Sequence, residues 1–250
     1  MLFLVIIYGQ GDFMIYVIVG PTGVGKTKLS VLLAKKLNAI IINADSMQIY
    51  KELNIGTAKI KEEEKEGVPH YLFDIKSILD DYNAFNYQSD GRKILDSNPD
   101  KNIVIVGGTG LYIKALLYDY KFENRGDINK PLYKFKIIGL TRNRDILYEN
   151  INKRVDMMIE EGLLDEAKSL YDKRYNARAL NTAIGYKELF EYFDGNVSLK
   201  EAIDKIKQNS RHYAKRQYTF FNNQFKDIKW YDIDKISFDE IVNDILNSDK

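Results

Sequence analysis

The chain has 250 residues, 45% of them hydrophobic and 29% charged, which excludes a disordered or collagen-like chain and allows a sizeable core without covalent staples. It has no cysteine and only two histidines, His70 and His212, which excludes a disulfide framework, a thiolate zinc site and a His-rich metal site, but not an oxygen-bound Mg²⁺. Lys and Arg number 37 against 36 Asp and Glu, a net +1 that is silent about a polyanionic partner, so local charge has to speak instead.

Met1–Tyr8 (MLFLVIIY) is too short to span a bilayer and lacks the basic start and small-residue cleavage site of a signal peptide. A second methionine, Met14, stands directly before the first good strand. Residues 1–13 therefore read as a dispensable leader or a misplaced start, and 14–250 as a single domain. With no other stretch near the length of a membrane span, a cytoplasmic protein that makes no membrane contact and acts as a monomer is expected.

Short, β-branched apolar runs at Ile15–Val19, Ile40–Asn43, Ile103–Val106 and Lys136–Leu140 predict buried parallel strands. Between them, helices are predicted over Lys26–Leu37, Thr57–Glu66, Ala84–Asp96 and Gly110–Tyr118. This alternation predicts an α/β fold, a parallel sheet flanked by helices. After Leu140 the pattern is helical: roughly 143–161, 163–174, 182–193, 198–222 and 238–247. The polar segment 119–130, ending at Pro131, fits neither period and reads as a surface connection.

Gly20-Pro21-Thr22-Gly23-Val24-Gly25-Lys26-Thr27 matches G-x-x-x-x-G-K-[ST], between an apolar strand and a helix as that motif requires. Its glycines let backbone N–H groups converge on phosphate oxygens at a helix N-terminus. Lys26 adds a point charge, and the Thr27 hydroxyl can ligate Mg²⁺. The usual inference, a kinase or NTPase, is weakened because Ile103–Val106 runs into Gly107-Gly108-Thr109-Gly110 rather than into an acid. Asp45, after Ile40–Asn43, could do similar work, or cap a helix. Thr109 could equally cap a tight strand–helix turn.

Seven segments taken together are more specific: GPTGVGKT (20–27), DSMQIYK (45–51), IGTAK (55–59), PHYLFDI (69–75), GGTGLYI (107–113), AIGYKEL (183–189) and Arg211…AKRQ (214–217). In this order, from about Met14 to Asn222, the chain resembles the bacterial tRNA dimethylallyltransferase family. That family moves a dimethylallyl group from its diphosphate to the exocyclic amine of the adenosine 3′ of the anticodon. The resemblance implies a P-loop NTPase-like core whose loop, with Lys26 and Thr27, holds diphosphate and Mg²⁺ rather than ATP. It implies Asp45 as general base. It places Ser46, Met47 and Gln48 on the surface that meets the tRNA anticodon arm, and Thr109 at the reacting nucleotide or diphosphate. Arg211, Lys215 and Arg216 match basic residues near the phosphates. The chemistry agrees: charge develops on the leaving diphosphate, where fixed cations stabilise it. A carboxylate can take the proton from a weakly nucleophilic amine as the C–N bond forms.

The family normally carries a helical insertion with a QR-x-x-RALE-like motif after the GGTGLY helix. Only about 119–131 stands in its place here, so the resemblance does not extend to the part that clamps the anticodon arm. Some members have an Arg one residue before the AIGY segment; here it is Thr182, and no role is carried onto it. The absent insertion keeps an isopentenyltransferase acting on free adenine nucleotide as an alternative, and the phosphate loop alone keeps a kinase or NTPase. The residues at Gly56-Thr57-Ala58-Lys59 and Gly107-Gly108-Thr109 favour the tRNA branch.

Local charge is uneven. Residues 200–216 carry six cations against two acids, +4, and residues 231–250 six acids against two cations, −4. On a helix over 198–222, Ile203, Ile206, Tyr213, Ala214, Gln217, Phe220 and Phe221 fall near one stripe that reads as core packing. Lys207, Arg211 and Lys215 fall on another face that reads as solvated or phosphate-facing.

Overall fold

The computed structural model describes residues 13–123, 127–173 and 177–248; nearly all of the expected leader therefore lies outside the described residues. Six strands form one parallel sheet. In chain order they are β1 (Ile15–Val19), β2 (Ile40–Asn43), β3 (His70–Tyr71), β4 (Ile103–Val106), and then β7 (Phe135–Thr141) and β8 (Ile228–Asp232). Tyr118–Asp119 and Asp127–Pro131 are β5 and β6, a separate antiparallel pair. The sheet order is β3-β2-β4-β1-β7-β8. From β1 the chain moves outward to β2, returns to β4 beside β1, and next enters the sheet at β7 on the other side of β1. The order therefore reverses between β1 and β4, and a crevice at the carboxyl ends of those strands is the expected ligand site in such sheets.

Side chains alternate across the pleat and feed two cores. On one face Tyr16, Ile18, Ile41, Val104 and Ile138 pack with Leu29 and Leu33 of α1 (Lys26–Leu37) and Ile241 and Ile245 of α9 (Phe238–Asn247). On the other, Val17, Ile42, Ile105 and Ile137 pack with Tyr87 of α2 (Ala84–Asp96), Ile113 of α3 (Gly110–Leu117) and Phe221 of α8 (Leu199–Gln224). A third core is helical. Val155 of α4 (Arg144–Glu160), Leu163 and Leu170 of α5 (Leu163–Asp172), Leu180 of α6 (Arg178–Thr182) and Leu189 of α7 (Tyr186–Phe193) meet Ile206 of α8, with Tyr50 and Leu53 from the loop after β2.

Three expectations are corrected. The helix predicted over Thr57–Glu66 is a run of turns with one 3₁₀ segment, Glu62–Lys65. Ala58 and Glu66 have φ of 44° and 48°, left-handed values that a right-handed helix cannot contain. The helix predicted over 182–193 begins only at Tyr186, because Thr182 ends the preceding helix, Ala183 is extended and Gly185 has φ 103°. The segment 119–130 contributes to the β5–β6 pair rather than to a plain connection. Besides that pair, two strands of the main sheet were not foreseen: β3, two residues long, and β8, at the edge. Among the described residues no helix is long and apolar enough to cross a membrane.

Candidate active site at the carboxyl ends of the strands

The loop between β1 and α1 wraps a small cleft of about 130 Å³ walled by Lys26, Thr27, Asp45, Gln48, His70 and Arg154 among others. Gly25, at φ 89°, begins α1 with no side-chain cap, which leaves the helix's first N–H groups for a ligand. Pro21 and Val24 are buried, and Val24 packs into the core, so both hold the loop from behind. Lys26 Nζ lies over the loop and donates to the carbonyls of Gly20 (3.0 Å) and Pro21 (2.8 Å). Burial brings its pKa down to about 8, against the pull of Asp45 and with the help of Arg154.

Asp45 follows β2. Its backbone N–H donates to Asn43 Oδ1 (2.9 Å), and its Oδ1 accepts from Met47 N (2.9 Å). These bonds fix one carboxylate oxygen as a turn-former. Thr109 Oγ1 accepts from Ser46 N (3.0 Å) and donates to Ser46 Oγ (3.2 Å), tying the β4–α3 turn to the loop after β2. Gln48 Nε2 donates to the carbonyl of Thr57 (3.0 Å) and so anchors a neighbouring loop.

A larger cavity of about 350 Å³ adjoins the first, lined by Asp45, Ser46, Met47, Met158, Tyr213 and Arg216 among others. Thr22, Asp45, Thr57 and Arg154 line both. One side is cationic and anion-sized. The other mixes Ile151, Val155, Ile184 and Ile206 with polar groups, room for an apolar chain and a base.

The basic residues of α8 diverge. Arg216 faces the larger cavity, whereas Arg211 donates to Asn152 Oδ1 (2.6 Å), Lys207 pairs with Asp156 (2.6 Å) and Lys215 is exposed. Lys207 and Arg211 thus hold α8 to α4.

Sequence reasoning missed Arg154 as a site residue. It reaches from α4 to the boundary of the two cavities, its Nη1 3.4 Å from Thr22 Oγ1, and burial lowers the pKa of its guanidinium. No local spacing announces it. Gln217 and Tyr213, read as core stripe, instead turn polar atoms toward the phosphate loop and the Thr109 turn. A Gln four residues after a Tyr in an apolar stripe was the available signal. The IGTAK and AIGYKEL segments prove to be neighbours. Glu166 of α5 accepts from the backbone N–H groups of Asn54 (3.2 Å), Ile55 (3.0 Å) and Gly56 (3.1 Å) and from Tyr186 Oη (2.6 Å). His70 Nδ1 lies 2.7 Å from the Val68 carbonyl, and its buried Nε2 has no partner among the described residues. Among the described residues no cluster of three His, Cys, Asp or Glu could hold a metal on its own.

The IPP transferase family model matches residues 48–130 and 122–224. A tRNA dimethylallyltransferase of Anoxybacillus flavithermus is 40% identical over 296 aligned positions, covering 93% of this chain and 95% of that protein. One of Bacillus subtilis is 42% identical over 287 positions, covering 88% and 90%. Among solved structures, the tRNA isopentenylpyrophosphate transferase of Bacillus halodurans superposes with a TM-score of 0.86 at 38% identity, covering 94% of each chain. That of Staphylococcus epidermidis gives 0.87 at 32%, covering 94% and 98%.

Proposed function

The chain belongs to the IPP transferase family, and from that premise we propose that it is a prenyltransferase that moves a dimethylallyl group from dimethylallyl diphosphate to the exocyclic amine of a tRNA adenosine, the one 3′ of the anticodon. The observation that carries the reading is the pair of adjoining cavities with Asp45 in their common wall.

The diphosphate sits in the small cleft, on the N–H groups of Gly23, Gly25 and the start of α1, with Lys26 and Arg154 opposite its charge. The dimethylallyl chain points into the larger cavity, where the adenine enters beside Arg216. The amine nitrogen attacks the allylic carbon, the C–O bond to diphosphate breaks, and Asp45 takes the proton that the nitrogen sheds. Fixed cations and N–H donors stabilise the leaving diphosphate without reorganising. Thr109 and Ser46 hold the loop that carries Asp45. Mg²⁺ fits the donor set: Thr27, Asp45 and Gln48 line the small cleft, and Mg²⁺ commonly takes one or two protein oxygens plus substrate phosphates. Bound there, it would neutralise diphosphate charge. Because the substrate is tRNA, the reading carries a cytoplasmic location.

Residues 119–131 mark the place where longer relatives carry extra residues. Two findings support this. The alignment to the Anoxybacillus protein spans 296 positions, more than the 250 residues of this chain, and the two matched segments of the family model meet at 122–130.

The test is incubation with labelled dimethylallyl diphosphate, Mg²⁺ and either bulk tRNA or AMP. Label in tRNA alone is expected. Efficient labelling of AMP without tRNA labelling would favour the free-nucleotide alternative, and ATP hydrolysis with no prenyl transfer would favour a kinase or NTPase.

A further inference from the structure

Gln217 is a buried amide at the crossing of three loops. It is 4% exposed. Its Oε1 accepts from Thr22 N in the phosphate loop at 2.8 Å, and its Nε2 donates to the Gly108 carbonyl in the β4–α3 turn at 3.2 Å. The Thr22 N–H demands an acceptor and the Gly108 carbonyl demands a donor, so both contacts fix the same orientation of the amide. Tyr213, one helical turn earlier on the same face of α8, hydrogen-bonds Gln217 and Thr109. Thr109 in turn holds Ser46. The approach is close. A Cβ on Gly108 would lie 1.8 Å from Gln217 Nε2, and one on Gly110 would lie 2.2 Å from Phe220 Cδ1. The GGTG segment is therefore glycine-rich where α8 presses on it.

We propose that Gln217 is a positioning residue: it locks the phosphate loop to the turn that carries Thr109, and so fixes the distance between the diphosphate site and the base-bearing acceptor site. This rests on the prenyl-transfer reading for its consequence, not for its geometry. Transfer between two separately bound substrates is sensitive to their relative placement, and displacements near 1 Å cost on the order of 10²-fold. Among the described residues, neither loop hydrogen-bonds the other through its own side chains. The amide spans them.

Two variants test the clasp. Gln217→Met keeps the length and removes both hydrogen bonds. Gln217→Glu keeps the acceptor but sets an ionised carboxylate against the Gly108 carbonyl; once protonated, it restores both bonds. Asp45 after β2, His70 of β3, Lys26 from α1, Arg154 from α4 and Arg216 and Tyr213 from α8 line the two adjoining cavities and set where that proton binds. Two readouts are taken between pH 5 and 8: hydrogen exchange of the Thr22 amide in the free protein, and prenyl transfer to tRNA at saturating substrates, as a ratio to wild type at each pH. Gln217→Met is expected to lose Thr22 protection and about 10- to 100-fold of kcat, with a smaller change in KM. Gln217→Glu is expected to match that loss near pH 8 and to recover in both readouts as the pH falls, a recovery that lost packing would not produce. Wild-type protection and kcat in Gln217→Met, or a Gln217→Glu ratio constant with pH, would overturn the proposal. A wild type that transfers no prenyl group would instead overturn the functional reading, with the exchange measurement still deciding the clasp.

Discussion

Lys26 is poised rather than idle. In the free protein its half-buried ammonium rests on two carbonyls, and desolvation has brought its pKa down to about 8. A diphosphate would restore the charged form. Above pH 8 binding should therefore take up a proton, tending toward one per site, and below about pH 7 almost none through this group. Calorimetry in buffers of differing ionisation enthalpy reads this directly, with Lys26→Met as the baseline for protons on the ligand itself. The same shift acts on stability. The unfolded lysine titrates near 10.5, so between pH 8 and 10.5 the unfolded chain holds a proton that the folded chain has shed. The Lys26 contribution is unfavourable below pH 8 and is relieved as the pH rises through that window. Asp45→Asn separates binding from chemistry. It keeps an acceptor for Met47 N but cannot take the amine proton, so diphosphate binding should survive while transfer falls about 10²–10⁴-fold in single-turnover assays. At this scale the sequence was informative only where the site is local. Lys26, Thr27 and Asp45 each follow a strand within a few residues and could be read in order. Arg154 and Gln217 reach Thr22 across 132 and 195 residues, and only helix packing brings them there.

At the scale of elements, the loop after β2 shows what replaces a predicted helix. Residues 54–56 direct three N–H groups to Glu166, and Lys59 Nζ donates to the Tyr50 carbonyl (2.7 Å) and to Asn54 Oδ1 (2.9 Å). Thr57–Glu66 has charge and spacing suited to a helix, but these tertiary bonds and a left-handed Ala58 hold it open, so that Gly56 and Thr57 line the larger cavity. Glu166→Ala would leave those N–H groups and Tyr186 Oη without their acceptor. We expect a loss of about 1–3 kcal/mol in urea unfolding, with faster proteolytic cutting near residue 55. Glu166→Gln should fall between. β1, β2, β4 and β7 were legible because burial on both faces makes them near-continuous apolar runs. β3 was not, since two residues carry no period. β8 was not, since as an edge strand it mixes Trp230 and Tyr231 with Lys229 and Asp232.

For the whole molecule, the telling quantity is how many phosphates it can neutralise. Relatives such as the Halalkalibacterium halodurans protein align over 297 positions, more than the 250 residues of this chain, covering 92% of this chain and 94% of that one, so they carry residues that this chain lacks. The basic stretch of α8 offers less compensation than its +4 suggests. Lys207 is neutralised by Asp156 and Arg211 is spent on Asn152, which leaves Lys200 and Lys205 exposed near the start of α8, and Lys215 and Arg216 exposed beside the larger cavity that Arg216 lines. Each lost phosphate contact removes about 0.7–0.9 from the slope of log K against log salt. The reacting adenosine must still leave its stack, at a cost of a few kcal/mol, before its amine can meet Asp45. A smaller electrostatic interface offsets that cost less well. We therefore expect this chain to bind tRNA more weakly than the halodurans relative, with a shallower salt dependence in a side-by-side titration. Lys215→Ala and Arg216→Ala should each flatten the slope by about one further unit, while Lys207→Ala should hardly change it. An equal or steeper slope for this chain would mean that another surface has taken over the clamp, and a large effect of Lys207→Ala would mean that its pairing with Asp156 opens when RNA arrives.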